Sequence, residues 1–466
     1  MRRSLIVFLL ALLLTGGGAA GAFAAVGNTC DEVILTPTVI AGDESAARGL
    51  TVELHSRLNN QLYWDTAHLV GSEPDTRFSF YPDRRQYPDT RRYFGVSIMT
   101  YDNVSTSGSD LTDPDTELFG YDSIYADVAS RTDAGTEHSE TVDLRDYMDY
   151  YPLSVSIDLP GSTYVWKNAG VDVEQSGGDD MGAINMAVAD YFRIPITDEQ
   201  PVRFHVEKDA AGKVFSWGSD TDREIYSAFG DGAVTDNACV FYLSNAYGDG
   251  KTVDFSQVPG GYGLYRLPYE TDGSTTRIDV DALEMVYPLA EDESVITLLA
   301  SENGRYLLLV TTDGEDETLT VLDADTVQPV QTIHLAADGH MYRLCDGGDF
   351  LALMYDIGFE VYTEAPVGYE KAFGGVLPDI DDSGNFNYNG VMDYSGGKLA
   401  IMGETMAEGE YGRYLCGYRL MVFDETGLLY HGTYKSSLDD FPALDNDNGI
   451  RCQPDYNSAL TLGWMD

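Results

Sequence analysis

The sequence predicts an all-β fold assembled from repeated four-stranded antiparallel units. Three observations carry that prediction. No long amphipathic helical pattern occurs after the first 25 residues. Runs of four to eight residues rich in Val, Ile, Leu, Tyr and Phe recur instead, each closed by Gly, Asp or Asn. In the second half these runs repeat with a period of about 40–50 residues, the spacing of a repeat architecture.

Taken in order, the chain opens with an export signal. Arg2 and Arg3 precede the apolar run Leu5 to Leu14, and Ala22-Phe23-Ala24 forms an A-x-A cleavage pattern. Residues 1–24 are therefore expected to be a signal peptide cut between Ala24 and Ala25. The apolar run is shorter than the about 20 residues a membrane span needs. Thr29 before Cys30 fits a lipoprotein site badly. The expected protein is secreted or cell-surface associated, with no membrane span.

The first half is irregular. Leu50 to Leu54, Leu62 to Asp65, Arg77 to Tyr81 and Tyr93 to Tyr101 read as strands. Residues 102–149, dense in Asp, Ser, Thr and Gly, read as a polar insertion. Strands resume at Leu153 to Leu159, Tyr191 to Ile196 and Val202 to Val206, and a turn at Lys208 to Gly212 leads to Lys213 to Trp217. Cys239 to Leu243 and Gly263 to Leu267 form a weak copy of the later repeat.

That repeat is clearest from Ser294. Val295 to Leu299 is a strand, Asn303-Gly304 favours a tight hairpin, and Tyr306 to Thr311 is a buried strand. Thr318 to Leu322, the turn Asp323 to Thr326 and Pro329 to Leu335 complete four strands. Phe350 to Tyr355, Phe359 to Tyr362 and Tyr369 to Phe373 follow the same order, as do Lys398 to Met402, Tyr418 to Phe423 and Leu428 to Tyr434. Val321-Leu322-Asp323 corresponds to Val422-Phe423-Asp424. The motif GRYLLLV…LTVLDADTVQPVQTIHL resembles blades of the WD40/YVTN-like β-propeller superfamily, most clearly across residues 294–434, without the Gly-His and Trp-Asp signatures of WD repeats. The resemblance implies a β-propeller. Counting the N-terminal strands gives about seven blades and one ring over residues 30–466, since closure removes edge strands. The alternative is an N-terminal β-sandwich over residues 30 to about 200 plus a smaller propeller.

Composition bounds the function. Lys plus Arg is 28 against 77 Asp plus Glu, a net charge of −49 that repels nucleic acid and anionic lipid. The five cysteines contain no C-x-x-C pair, and Cys239, Cys345 and Cys416 lie within strand-like runs as small buried groups. Cys30 and Cys452 stand at opposite ends of the mature chain. A ring closed by the run Asp31 to Ile40 would bring them together as a possible disulfide, the alternative being reduced thiols.

Chemical motifs are mostly missing: no G-x-S-x-G, H-E-x-x-H or P-loop occurs, and the seven histidines are scattered. His334 and His340 alone lie near each other. Asp379 to Asn385 places oxygen ligands at calcium-loop positions one, three, five and seven, but the twelfth is Gly390 rather than Glu. It reads as an acidic linker, with calcium as its alternative, and no cofactor is expected. The Tyr147 to Tyr151 cluster reads as the lead into a strand. No catalytic or metal-binding residue can be singled out. The expected function is an exported, monomeric, non-enzymatic module binding an extracellular protein, peptide or glycan. The alternative is a secreted hydrolase or lyase with a site in the central funnel.

Overall fold

The four-stranded repeat is the organising unit of the computed structural model. Described are residues 16–18, 21, 33–58, 62–80, 92–98, 121–161, 163–176, 182–196, 199, 201–220, 229–244, 246–247, 251–335, 340–355, 357–378, 390–409, 412–440, 453–454 and 461–465. The fold is all-β in class, with propeller-type blades. Ser294–Ala300, Tyr306–Thr312, Glu317–Asp323 and Pro329–His334 pair antiparallel in chain order. Met341–Asp346, Phe350–Tyr355, Gly358–Glu364 and Tyr369–Val376 repeat the plan. Val391–Ser395, Lys398–Gly409, Gly412–Asp424 and Gly427–Ser436 repeat it again as the C-terminal blade.

Asp323 and Asp424 correspond in role, although their turns differ in length. Each ends the third strand of its blade. Asp323 Oδ1 accepts from the Thr326 amide and hydroxyl at 2.9 and 2.7 Å, and Asp424 Oδ1 accepts from those of Thr426 at 2.8 and 2.6 Å. An Asp side chain that ties down the next backbone turn is the Asx-turn chemistry of short hairpins. Part of the acidic composition therefore builds turns.

The chain divides into two compact units, Met1–Pro88 with Asp338–Asp466, and Asp89–Ala337. In the first unit an N-terminal blade is made by Leu50–Leu58, Leu62–Leu69 and Asp75–Phe80. Its fourth place is filled from the far end of the chain, with Thr461–Trp464 in register from Leu50↔Trp464 to Glu53↔Thr461. The exchange is reciprocal: Leu35–Gly42 pairs with Gly427–Ser436 and becomes a fifth strand of the C-terminal blade. The N-terminal run thus joins the last blade, as the closure argument expects. Cys30, Cys452, Ala24, Ala25 and Asp379 to Asn389 lie outside the described residues.

Stacking in this unit follows the strand pattern. One face of the C-terminal blade (Ala400, Met402, Leu420, Val422) packs on Leu50, Val52, Leu54 and Trp64 of the N-terminal blade. The other face (Leu399, Ile401, Met421, Phe423) packs on Phe350, Phe359 and Val361. The Gly412–Asp424 strand needs glycine at 417, where φ is +146° and a Cβ would sit 1.9 Å from the Tyr434 carbonyl oxygen.

The second unit contains the Ser294–His334 blade but departs from the repeat before it. Between Tyr93 and Pro288 most strands join one nine-stranded sheet, and Val214–Asp220, Pro201–Lys208 and Glu137–Asp143 form a three-stranded one. Among the described residues of this unit, the three further blades of the seven-blade expectation do not appear as separate four-stranded sheets. One pair, Thr275–Asp279 with Thr163–Asn168, is even parallel, which no simple blade contains. The later part of the polar stretch 102–149 carries regular structure. Helix α1 (Asp122–Ser130) buries Ile124, Tyr125, Val128 and Ala129, and Glu137–Asp143 is a strand paired with Pro201–Lys208. Four apolar residues at helical spacing suffice to dock α1, with the Tyr125 ring 5.0 Å from Phe204. A second helix, α2 (Gly182–Phe192), buries Ile184, Val188 and Phe192 in the same core.

Candidate functional site

The N-terminal blade turns its main apolar set to one face and a mostly polar set, with the buried Tyr63 among it, to the other. Along Leu50–Leu58 the period-two alternation sends Leu50, Val52 and Leu54 into the core and Thr51, Glu53, His55 and Arg57 to the opposite face. Register then assembles a row across three strands, because His55 pairs with Asp65 and Asp65 with Arg77. A second row, Arg57, Tyr63 and Ser79, lies beside it. Glu53, one step the other way, accepts from the Thr461 hydroxyl at 3.0 Å.

His55 Nδ1 lies 2.8 Å from Asp65 Oδ1, and the two side chains are 19% and 37% exposed. A carboxylate can only accept, so His55 Nδ1 carries a proton and donates it to Asp65. The row therefore offers an imidazole, a carboxylate and an exposed guanidinium on one solvent-reaching surface. Donors and acceptors alternating at strand spacing suit a ligand rich in hydroxyl groups.

Sequence reading missed this row, although a signal was available. Between Arg48 and Arg92 the chain carries seven arginines and two histidines against six carboxylates. A near-neutral stretch inside a chain of net charge −49 marks an unusual surface, which averaging over the whole sequence hides.

The other candidates do not assemble. His334 is exposed on an outer blade strand, and among the described residues no group of three or more His, Cys, Asp and Glu could hold a metal ion. The tyrosine cluster diverges: Tyr147 donates to Asp127 at 2.6 Å, Tyr150 is exposed and Tyr151 is buried. Cys239 is buried, which pushes its thiol pKa far up, and the Cys345 thiol points to the Met392 carbonyl at 3.7 Å. Glu360 is enclosed by the Tyr355 and Tyr362 hydroxyls at 3.1 and 2.9 Å and paired with Lys371, a self-satisfied cluster. Among the described residues no helix is long and apolar enough to cross a membrane.

No known family profile matches the sequence, and no curated protein matches it. Similar solved structures include the periplasmic gluconolactonase of Pseudomonas aeruginosa, 12% identical, covering 72% of this chain and 82% of that one with a TM-score of 0.23. The β-propeller domain of the Trilobed protease from Pyrococcus furiosus is 10% identical over 61% of this chain and 73% of that one, with a TM-score of 0.21. Hydrazine synthase from Kuenenia stuttgartiensis is 14% identical over 57% and 78%, also at 0.21. Scores this low carry nothing about activity, and the blade architecture rests on the strand pairing.

Proposed function

We propose that this chain is an exported, acidic, non-enzymatic binding protein of WD40/YVTN-like kinship that takes a glycan on the open polar face of its N-terminal blade. The single observation that carries this reading is the cross-strand row His55, Asp65 and Arg77. An uncharged glycan is not repelled by the net charge of −49, and each hydroxyl can meet one donor and one acceptor of the row. A glycan array probed with the mature protein, with and without calcium, tests it. Arg77→Ala and Asp65→Ala should each weaken binding about tenfold or more, the loss expected for one charge-assisted hydrogen bond. Absence of glycan binding, or variants that bind as well as the parent, would refute the reading. Export belongs to the same proposal: N-terminal sequencing of secreted protein should begin at Ala25.

The hydrogen bond that orients His55 on Asp65 favours a second reading, a secreted hydrolase or lyase with His55 as general base. Turnover of a bound glycan by the parent, abolished in His55→Ala with binding retained, would decide for it.

A further inference from the structure

The apolar core between the N-terminal and C-terminal blades encloses a set of polar side chains that the glycan face does not use. His68, on Leu62–Leu69, is 3% exposed, and Tyr418, Tyr430 and Tyr434 are 0, 0 and 2% exposed. Donor counting assigns the protons. The Ser72 carbonyl accepts from His68 Nε2 at 3.1 Å, so that nitrogen carries the hydrogen and Nδ1 is a lone pair. The Tyr418 hydroxyl meets Nδ1 in a short hydrogen bond and must donate to it. The Tyr418 ring stacks on Tyr434 at 4.5 Å with planes 11° apart, and His68 lies edge-on to Tyr434 at 5.2 Å. Tyr434 donates to Glu44 at 2.9 Å, and its oxygen lies 2.9 Å from that of Tyr430.

A buried phenol with a neutral imidazole on its hydroxyl is a recognisable piece of chemistry. Burial holds His68 below the ordinary histidine pKa, so it stays neutral and able to accept a proton. Burial also pushes Tyr418 well above the ordinary tyrosine range, so a tyrosinate is not available. Electron loss from the phenol alone would leave a cation in an apolar core, which is costly. Moving the proton at the same time places the charge on an imidazole whose two N–H groups are both hydrogen-bonded, rather than on the phenol ring.

We propose that Tyr418 is a redox-active tyrosine with His68 as its proton acceptor. A one-electron oxidant in solution takes one electron from Tyr418 and is itself reduced by one. The phenolic O–H bond breaks and an N–H bond forms at His68 Nδ1. The products are a neutral tyrosyl radical and an imidazolium. Both imidazolium N–H groups are then bonded, to the Tyr418 oxygen and the Ser72 carbonyl, and the Glu44 carboxylate favours the positive ring. Tyr434 and Tyr430 extend the aromatic path beside the radical.

The test uses the mature protein, flash-oxidised by photogenerated ruthenium tris-bipyridine and read by electron paramagnetic resonance. The chain contains 32 tyrosines, so the radical must be located as well as detected. Site-specific Tyr418→3,5-difluorotyrosine keeps the hydroxyl and adds fluorine hyperfine splitting. The persistent signal should carry that splitting, and in His68→Gln its yield should fall at least tenfold, while Tyr430→Phe keeps it. A persistent signal without fluorine splitting, no persistent signal, or an unchanged yield in folded His68→Gln each overturns the proposal. Should His68→Gln fail to fold, the fluorinated protein still decides.

Discussion

The C-terminal and N-terminal blades share a strand plan and differ in how many faces they bury. In the C-terminal blade both faces enter cores, and its second strand carries Leu399-Ala400-Ile401-Met402, all buried. In the N-terminal blade the first strand alternates as Leu50, Val52 and Leu54 against Thr51, Glu53 and His55, and only the former set is buried. A continuous apolar run marks a sheet covered twice, and an alternating run marks a sheet with a face to spare. On the reading proposed above, the spare face is the one that takes the glycan.

Substitutions can break that comparison. Phe423→Ala removes a fully buried ring 4.7 Å from Phe359, and Trp64→Ala removes the core anchor of the N-terminal blade. Each should cost about 3–5 kcal/mol in urea denaturation. A Trp64→Ala cost near zero would mean that the N-terminal blade is not held by its inner face.

Gly417→Ala places a methyl group on the Tyr434 carbonyl at a left-handed φ, and should cost about 2 kcal/mol or more in the same measurement. On the open face His55→Ala should change stability by less than about 1 kcal/mol while weakening glycan binding, since an exposed ion pair contributes little to folding. A large loss of stability there would show that the polar face is a packed interface.

Acid should act on both blades with one sign. His68 titrates below its unfolded value of 6.5 because burial disfavours its charged form. The folded state then binds fewer protons than the unfolded one, so stability is complete above about pH 6.5 and falls as the pH drops towards the folded pKa. Asp43, Asp313, Asp323 and Asp424 are held below 3.8 by hydrogen bonds from neighbouring turn groups, so their contribution is complete above about pH 3.8 and is lost on further acidification. Melting temperature against pH should fall in these two stages, and His68→Gln should diminish the first, to which His431, also held low by burial, contributes. A melting temperature that rises on acidification from pH 7 to pH 5 would contradict the His68 assignment.

The smallest effect is global. Salt shortens the Debye length from about 30 Å at 0.01 M to about 8 Å at 0.15 M, so screening of the −49 charge should raise the melting temperature. A flat response would mean that the turn aspartates have already dispersed the repulsion locally.

What the sequence determined by itself is local. Strand period and turn chemistry depend on residues within one hairpin, so the Ser294–His334 blade and the equivalence of Asp323 with Asp424 are legible in the residues alone. Tertiary structure decided what long-range pairing controls. It joined the strands between Tyr93 and Pro288 into a broad sheet, exchanged the strands of the two chain ends, and laid His55, Asp65 and Arg77 in one row. It also brought His68 to Tyr418 across 350 residues of chain. A period of two says which face a residue takes, but only register says what stands beside it, and shifting a strand by one residue would move every side chain to the other face.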